Sequence, residues 1–271
     1  MVLKFCIHFP YRNTHECPKW LLFSVKRILR LSIPFVAVML LEKTIKLDGV
    51  RMGHNLWYSI VGWSLTCELL YYLSYPLMFK FTKRYNWLQI FIISFFASMI
   101  VIISNYKVMH YPSYGTIGNM ILGLPCWLLG VLLAEKYGSF KSRKRNFIKL
   151  QGVRCFILCA STLSYGLFLY FRIGFPITLN FFAIAVFFWL SFEISQKDYT
   201  PIKYLENGGK WSYSLYLTHW PLYLYFNEIN MFEFSPRLLW LTQLLFILLG
   251  AYIFYLIFEK TSHSFIRKIQ I

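Results

Sequence analysis

Two ionisable residues lie inside long apolar stretches of the sequence. Glu68 is the thirteenth residue of the 24-residue stretch Leu56–Phe79, and His219 lies near the middle of Trp211–Phe226. An ionisable side chain at the centre of a bilayer costs roughly 3 kcal/mol on insertion scales. Each of these residues therefore needs a polar partner or a function, and both are candidates for handling a proton.

Polar neighbours can serve the carboxylate of Glu68 if its stretch is helical. Ser64 precedes Glu68 by four residues, and Tyr71 and Tyr72 follow it by three and four. Residues at these spacings lie one turn away on the same helix face, within reach of a hydrogen bond. Glu68 is therefore either a functional, site-organising carboxylate or a structural one that its neighbours satisfy.

A proline interrupts the stretch that carries His219. Pro221 follows His219 by two residues and removes one helical hydrogen bond, which predicts a kink. Such breaks occur where a helix is buried in protein or lines a wet cavity. A neutral imidazole there can accept a proton, donate a hydrogen bond or only pack. We expect Glu68 and His219 to face one water-accessible chamber from separate helices.

Apolar stretches make up most of the remaining chain and must position these two residues. Of the 271 residues, 58% are hydrophobic and 14% are charged, too few charges to cover a soluble protein. A helix needs about 20 apolar residues to cross a bilayer. Five uncharged stretches approach that length: Leu88–Ser104, Ile117–Ala134, Cys155–Phe171, Ile177–Phe192 and Leu238–Phe258.

The two interrupted stretches and a short one raise the number of spans to about eight. The short stretch, Leu31–Leu41, needs help from Trp20–Val25 to cross. The stretches are continuously apolar, without the in-out alternation of a membrane barrel. The sequence therefore predicts an all-α, polytopic transmembrane helical bundle, with residues 1–19 as an N-terminal cytoplasmic segment and residues 20–271 as a single transmembrane domain.

Basic residues lie between the predicted spans and indicate the topology. If the N-terminus is cytoplasmic, 22 of the 28 Lys and Arg residues fall on the cytoplasmic side. This asymmetry follows the positive-inside rule and places both termini inside. The run Lys141–Lys149 is interpreted as an orientation signal against anionic membrane lipid, although a phosphate-rich cosubstrate can share it. The net charge of +17 therefore does not indicate a nucleic-acid partner.

Motifs for bound metals and nucleotides are missing from the sequence. It has no zinc pattern, no glycine loop that cradles phosphates and no nucleophile elbow. Four of the six cysteines fall inside spans and are interpreted as small apolar fillers. The other histidines lie in loops or near the termini, where we expect most to be solvated: His8, His15, His54, His110 and His263. We expect neither a metal nor a bound cofactor.

Two motifs resemble the membrane-bound acyltransferase-3 family, whose members O-acylate sugars and glycolipids. Trp63–Pro76 resembles the family's Trp-Ser/Thr-Leu, a Glu three residues on, an aromatic pair and Pro. Gly209–Pro221 is similar to its Ser-Tyr-Ser-Leu-Tyr-Leu run followed by His-x-Pro. Weaker matches are the basic segment Lys26–Pro34 and the closing pair Glu259-Lys260. All four occur in the family's order and together cover nearly the whole chain.

The resemblance implies transfer of an acyl group, usually acetyl, from acetyl-CoA to a hydroxyl of a membrane-associated or exported saccharide. It also implies a bacterial inner membrane. Glu68 and His219 would handle protons or orient a base. The candidates for substrate binding are Arg27 and Arg30 for the CoA phosphates, Trp63 and Trp220 for a sugar face, and Ser64, Tyr71, Tyr213 and Tyr216 as hydrogen-bond donors. The arginines can equally anchor the chain to the cytoplasmic side, and the tryptophans can lie in the interfacial belt.

The start of the chain departs from the family pattern. Family members usually begin with two further spans, the first carrying an Arg and a His ten residues apart, and that His is the expected base. Arg12 and His15 do not have this spacing. We expect a shortened start, in which case the chain alone can be inactive. A decayed gene, a base from another element, a transporter or flippase, and a dead remnant that only binds remain open alternatives.

Overall fold

The computed structural model describes residues 8–12, 19–44, 62–82, 84–140, 147–196, 203–229 and 235–268. Within these ranges ten α-helices follow one another: α1 (Trp20–Thr44), α2 (Trp63–Phe81), α3 (Trp87–Ser104), α4 (Gly115–Lys136), α5 (Phe147–Phe171), α6 (Phe175–Ser195), α7 (Lys203–Lys210), α8 (Ser212–Ile229), α9 (Pro236–Phe254) and α10 (Lys260–Lys268). A π-helical turn, Tyr255–Glu259, joins α9 to α10. The predicted all-α fold class is confirmed.

Five helical segments in the described ranges are long and apolar enough to cross a membrane: Trp87–Ser104, Tyr111–Ser139, Phe147–Phe171, Phe175–Ser195 and Arg237–Ile266. These segments contain the five uncharged stretches of the sequence. Because it has several helices of this kind, the chain is an integral membrane protein. The other three predicted spans lie in α1, α2 and α8. The total of about eight spans and the cytoplasmic position of both termini stay predictions.

Contacts among the described residues divide the chain into two compact units. The first comprises Met1–Trp20 and Thr66–Thr200, and the second comprises Leu21–Leu65 and Pro201–Ile271. The boundary falls within α2, so that Ser64 belongs to the second unit and Glu68 to the first. The single domain expected from residue 20 to residue 271 stays a prediction.

A buried amide holds three helices of the first unit together. Asn180 on α6 is 1% exposed. Its Nδ2 lies 3.0 Å from the Pro176 carbonyl, 3.1 Å from Ser98 Oγ on α3 and 3.3 Å from the Leu122 carbonyl on α4. Its Oδ1 accepts a hydrogen bond from Cys126 Sγ at 3.2 Å. Interhelical hydrogen bonds of this kind stabilise helix packing in lipid, where the hydrophobic effect between helices is weak.

An ion pair joins α5 to α6 at their predicted cytoplasmic ends. Arg154 donates from Nε to Oε1 of Glu193 at 2.7 Å and from Nη2 to Oε2 at 3.2 Å. Trp189 Nε1 also donates to Glu193 Oε1, at 3.0 Å. Arg154 therefore has a structural partner in addition to its place in the basic cytoplasmic segment. Residues 141–146 of the basic run lie outside the described residues.

The second unit has an apolar core to which α1, α2, α8 and α9 contribute. Its buried members are Ala37, Val38, Leu65, Leu217 and Phe254. Gly250 allows α9 to approach α8 closely, because a Cβ at this position would lie 2.7 Å from Leu222 Cδ1. Small residues at helix interfaces allow such close approach of two helices. Through Leu217, the first turns of α8 pack against residues of α1, α2 and α9 in this core.

Candidate functional site

The first turn of α8 is fixed to two other helices by hydrogen bonds. Tyr213 Oη donates to the main-chain carbonyl of Leu31 on α1 at 3.0 Å. Ser214, which is 0% exposed, donates from its backbone nitrogen and from Oγ to Oε2 of Glu259, at 3.1 and 2.5 Å. Successive polar residues of the second family-like motif therefore reach different helices.

The next turn of α8 favours one tautomer of a neutral His219. Tyr216 Oη lies 2.5 Å from Ser64 Oγ at the start of α2. The main-chain carbonyl of Tyr216 lies 2.7 Å from Nδ1 of His219. A carbonyl oxygen only accepts hydrogen bonds, so Nδ1 carries a proton, and the neutral imidazole has its lone pair at Nε2. His219 is therefore held with Nε2 as a proton acceptor.

The π-helical turn after α9 presents the buried carboxylate of Glu259. Glu259 is 2% exposed, and turns of this type are frequent at functional sites. His263, one turn further on, has Nε2 at 3.9 Å from Glu259 Oε1 and at 3.1 Å from Arg30 Nε. Because a guanidinium only donates, His263 accepts this bond at Nε2. The 3.9 Å contact is too long for a hydrogen bond, so two polar pairs, Ser214–Glu259 and Arg30–His263, lie side by side in the second unit.

The two arginines predicted to bind CoA phosphates lie one turn apart on α1. Arg30 is exposed and donates to His263. The guanidinium carbon of Arg27 lies 5.5 Å from the centroid of the Phe23 ring. Residues three apart lie on one helix face, so the two arginines follow one another along α1 in the second unit. Their binding of CoA stays a prediction.

The two tryptophans predicted to contact a sugar are both half-buried. Trp220 packs against the core of the second unit, and its ring stacks on Tyr223 with centroids 5.4 Å apart. The Nε1 atom of Trp220 is buried and has no hydrogen-bond partner among the described residues. Buried N–H groups are rarely left unpaired, so this atom is available as a donor to a ligand. Trp63 lies at the first position of α2.

Glu68 lies in the first unit, where a tyrosine on its own helix binds it. Tyr72, four residues on and 3% exposed, donates its hydroxyl to Glu68 Oε1. Tyr71 donates its hydroxyl to the Met120 carbonyl on α4 at 2.6 Å. Glu68 and His219 belong to different units, and the chamber expected to contain both stays a prediction.

A second polar cluster in the first unit was missed by the sequence reasoning. His8 is 0% exposed, so the expectation of solvated loop histidines is wrong for this residue. Its Nδ1 lies 2.7 Å from Tyr75 Oη, and its Nε2 lies 2.5 Å from Glu135 Oε1. Trp87 packs edge-on against the imidazole with centroids 5.0 Å apart. The partners are 67 and 127 residues away in the chain, beyond the reach of any local pattern.

A comparison with protein-family models matches residues 10–259 to a model described as an acyltransferase domain, that of the acyltransferase-3 family. The chain belongs to the acyltransferase-3 family. The match includes every predicted site residue from Arg27 to Trp220 and ends at Glu259. A search of curated proteins and a search of solved structures each found no match. This acyltransferase transfers an acyl group to a hydroxyl-bearing acceptor.

Three residues of the acyltransferase gain a role only from the structure. Ser214 lies in the second motif, and Glu259 opens the closing acidic-basic pair, but neither was among the predicted site residues. The resemblance of Glu259-Lys260 to the family's closing pair was the available signal. His263 carries no motif, although its position four residues after Glu259 predicts that the two share a helix face.

Proposed function

We propose that this acyltransferase transfers an acyl group, acetyl in the simplest case, from acyl-CoA to a hydroxyl of a cell-envelope or exported saccharide. The proposal depends on one observation, the hydrogen bond of 2.7 Å between His219 Nδ1 and the Tyr216 carbonyl. This bond leaves Nε2 as the acceptor that a general base for hydroxyl acylation requires. The rings of Tyr216 and His219 lie 6.0 Å apart, so a phenol is close to the base.

The reaction needs a base because a hydroxyl is a poor nucleophile at neutral pH. As the acceptor oxygen attacks the thioester carbonyl carbon, Nε2 of His219 takes the hydroxyl proton. The C–S bond then breaks, and the imidazolium returns the proton to the departing thiolate. Glu68, with its Tyr72 partner, is the second candidate for handling a proton.

The developing oxyanion needs hydrogen-bond donors close to the base. We assign this role to Ser64 and Tyr216, whose hydroxyl oxygens lie 2.5 Å apart. Tyr71 and Tyr213 donate their hydroxyls to main-chain carbonyls at 2.6 and 3.0 Å. These bonds suit tyrosines that fix the helices, so we assign them to positioning.

Arg27 and Arg30 bind the phosphates of the donor in this proposal. Guanidinium groups make charge-assisted, often bidentate contacts with phosphate oxygens. His263 orients the Arg30 guanidinium through Nε. The hydrogen bond from Tyr213 to the Leu31 carbonyl fixes this part of α1 to α8. Tyr213 precedes His219 by six residues on α8, which is about 9 Å of helical rise. One extended cosubstrate can therefore reach from the arginines toward the base.

The tryptophans support a saccharide as the acceptor. An indole offers a broad apolar face for a sugar ring and an N–H for one of its hydroxyls. The Nε1 of Trp220, which is buried and meets no acceptor within the described part of the chain, matches the second of these requirements. Trp63 is the candidate for the stacking face. A cytosolic donor and an envelope acceptor agree with a location in the bacterial inner membrane, with membrane lipid around the exposed apolar helix faces.

Thiol release by the full-length protein tests the proposal. The protein, reconstituted in lipid nanodiscs, is incubated with acetyl-CoA and extracted cell-envelope glycan, and free CoA thiol is followed. We expect His219→Gln to lower turnover by about 10²- to 10⁴-fold, the usual contribution of a general base. His110→Gln is the matched control, because His110 is an exposed histidine of the first unit. Glu68→Gln measures the contribution of the carboxylate.

The outcomes separate the rival functions. Glycan-dependent turnover that is lost in His219→Gln and kept in His110→Gln supports the proposal. Equal turnover in the two variants contradicts the assignment of His219. Flux of a labelled solute across vesicles without thiol release indicates a transporter or flippase, and silence in both assays indicates a remnant that only binds.

A further inference from the structure

An apolar groove lies in the first unit. Its volume is about 290 Å³, and it is open to the outside. The C-terminal end of α2, the turn after it, one face of α3 and the first half of α4 line it, among them Phe81, Tyr85, Ile90, Ser94, Ala97 and Leu124.

The wall of the groove is almost wholly apolar. Its two hydroxyl-bearing residues are Ser94 and Tyr85, and the Ser94 Oγ donates to the Phe91 carbonyl at 2.8 Å. Apolar cavities without unpaired polar atoms stay dry and bind apolar molecules; about 150 Å³ suffices for one benzene ring. By proportion, the groove holds roughly a dozen carbon atoms. An apolar wall around this volume favours a hydrocarbon ligand.

The shape of the groove suits a single extended chain. On α3 the lining extends from Ile90 to Ala97, which is about 10 Å of helical rise. Phe81 and Tyr85 form its end near the turn between α2 and α3. The other end lies between Ala97 on α3 and residues of α4. Both helices belong to segments that are long and apolar enough to cross the membrane. The groove thus runs along the helices, from the turn toward the interior of the bilayer.

Cations lie at the turn end of the groove. The backbone nitrogens of Arg84 and Tyr85 donate to the Phe81 carbonyl at 3.0 and 2.9 Å, which closes a tight turn. The guanidinium carbon of Arg84 lies 5.4 Å from the centroid of the Tyr85 ring, and this ring lines the groove. Lys80 is exposed one residue before Phe81. An anionic group at this end of the groove therefore meets the Arg84 guanidinium beside the Tyr85 wall, and Lys80 is a second exposed cation near this end of α2.

We propose that the groove binds one acyl chain of an anionic phospholipid, whose phosphate headgroup contacts Arg84 and Lys80. A chain gains little free energy in moving from lipid to an apolar groove, because both environments are apolar. The headgroup therefore provides the selectivity. The side that carries these residues is the predicted cytoplasmic one, where anionic lipids are enriched. This inference does not depend on acyl transfer.

Lipid retention by the full-length protein tests the proposal. The protein is delipidated, incubated with an equal mixture of phosphatidylglycerol and phosphatidylcholine in detergent, and analysed by native mass spectrometry. We expect Arg84→Gln to lower the retained ratio of phosphatidylglycerol to phosphatidylcholine by about fivefold, the effect of one interfacial cation. Lys107→Gln is the matched control. Lys107 also lies over a tyrosine ring, with its Nζ 5.8 Å from the Tyr106 centroid, but it follows the opposite end of α3.

A second pair of variants tests the groove itself. Ala97→Phe fills the groove and should abolish retention of the bound lipid. Ile100→Phe, one turn away and 65% exposed, should leave retention unchanged. Equal lipid ratios for Arg84→Gln and Lys107→Gln overturn the proposal, and so does full retention by Ala97→Phe. Displacement of the lipid by decanoyl-CoA but not by excess phosphatidylglycerol also overturns it, because the occupant would then be an acyl donor.

Discussion

Replacing Ser214 by alanine tests whether the buried contact with Glu259 holds the second unit together. The side chain of Ser214 is fully buried, and its Oγ and backbone nitrogen converge on one oxygen of Glu259 at 2.5 and 3.1 Å. A hydrogen bond to a charged group contributes about 1.5–3 kcal/mol, so removal of Oγ should cost about 2 kcal/mol. The backbone bond remains, which keeps the loss from being larger.

The assay is thermal unfolding in one detergent at a fixed scan rate. A loss of about 2 kcal/mol corresponds to a decrease of roughly 4–8 °C in the apparent midpoint for a protein of this size. Ser212→Ala is the matched control, since Ser212 lies in the same motif but is exposed, with Oγ bonded to the Gly209 carbonyl at 2.9 Å. Its midpoint should change by less than about 2 °C.

A double-mutant cycle distinguishes this contact from a general effect of the substitution. Ser214→Ala and Glu259→Gln remove the same interaction, so their combined loss of stability should be smaller than the sum of the single losses. Contacting residues in one hydrogen-bond network usually show coupling of about 0.5–3 kcal/mol. Strict additivity, or equal midpoints for Ser214→Ala and Ser212→Ala, would refute the reasoning.

Two further predictions concern packing and charge in the first unit. Gly123→Ala should lower the unfolding midpoint, because the new Cβ would lie 2.7 Å from the buried Tyr71 hydroxyl. Gly166→Ala is the control: its Cβ would meet no atom within 4 Å, and the higher helix propensity of Ala should raise the midpoint. Arg154→Gln should destabilise the protein by about 1–3 kcal/mol, because it breaks the ion pair with Glu193. Adding Glu193→Gln to this variant should restore part of the lost stability. A double variant that is less stable than Arg154→Gln alone contradicts the pairing.

Local patterns in the sequence predicted most of the helices. A helix satisfies its own backbone within a few residues, so continuous apolar length alone predicted the five membrane segments from Trp87–Ser104 to Arg237–Ile266. The partner of Glu68 was also predictable, because Tyr72 lies four residues away on the same helix. No pattern in the sequence predicted the π-helical turn at Glu259.

The partners of the remaining polar groups depend on contacts between distant segments. His263 accepts from Arg30 across 233 residues, and Tyr216 meets Ser64 across 152. Most histidines outside the predicted spans were expected to be solvated, but His8 is buried against Tyr75 and Glu135.

Composition and hydrophobic length by themselves determined that this chain is helical and lies in a membrane, because lipid requires every backbone polar group to be satisfied locally. The family-like motifs determined which helices carry the candidate chemistry. Only the tertiary structure decided that Ser214 binds Glu259 and that Tyr216 meets Ser64. The physical reason is that a side-chain hydrogen bond depends on distance in space, and helix packing sets that distance independently of separation along the chain.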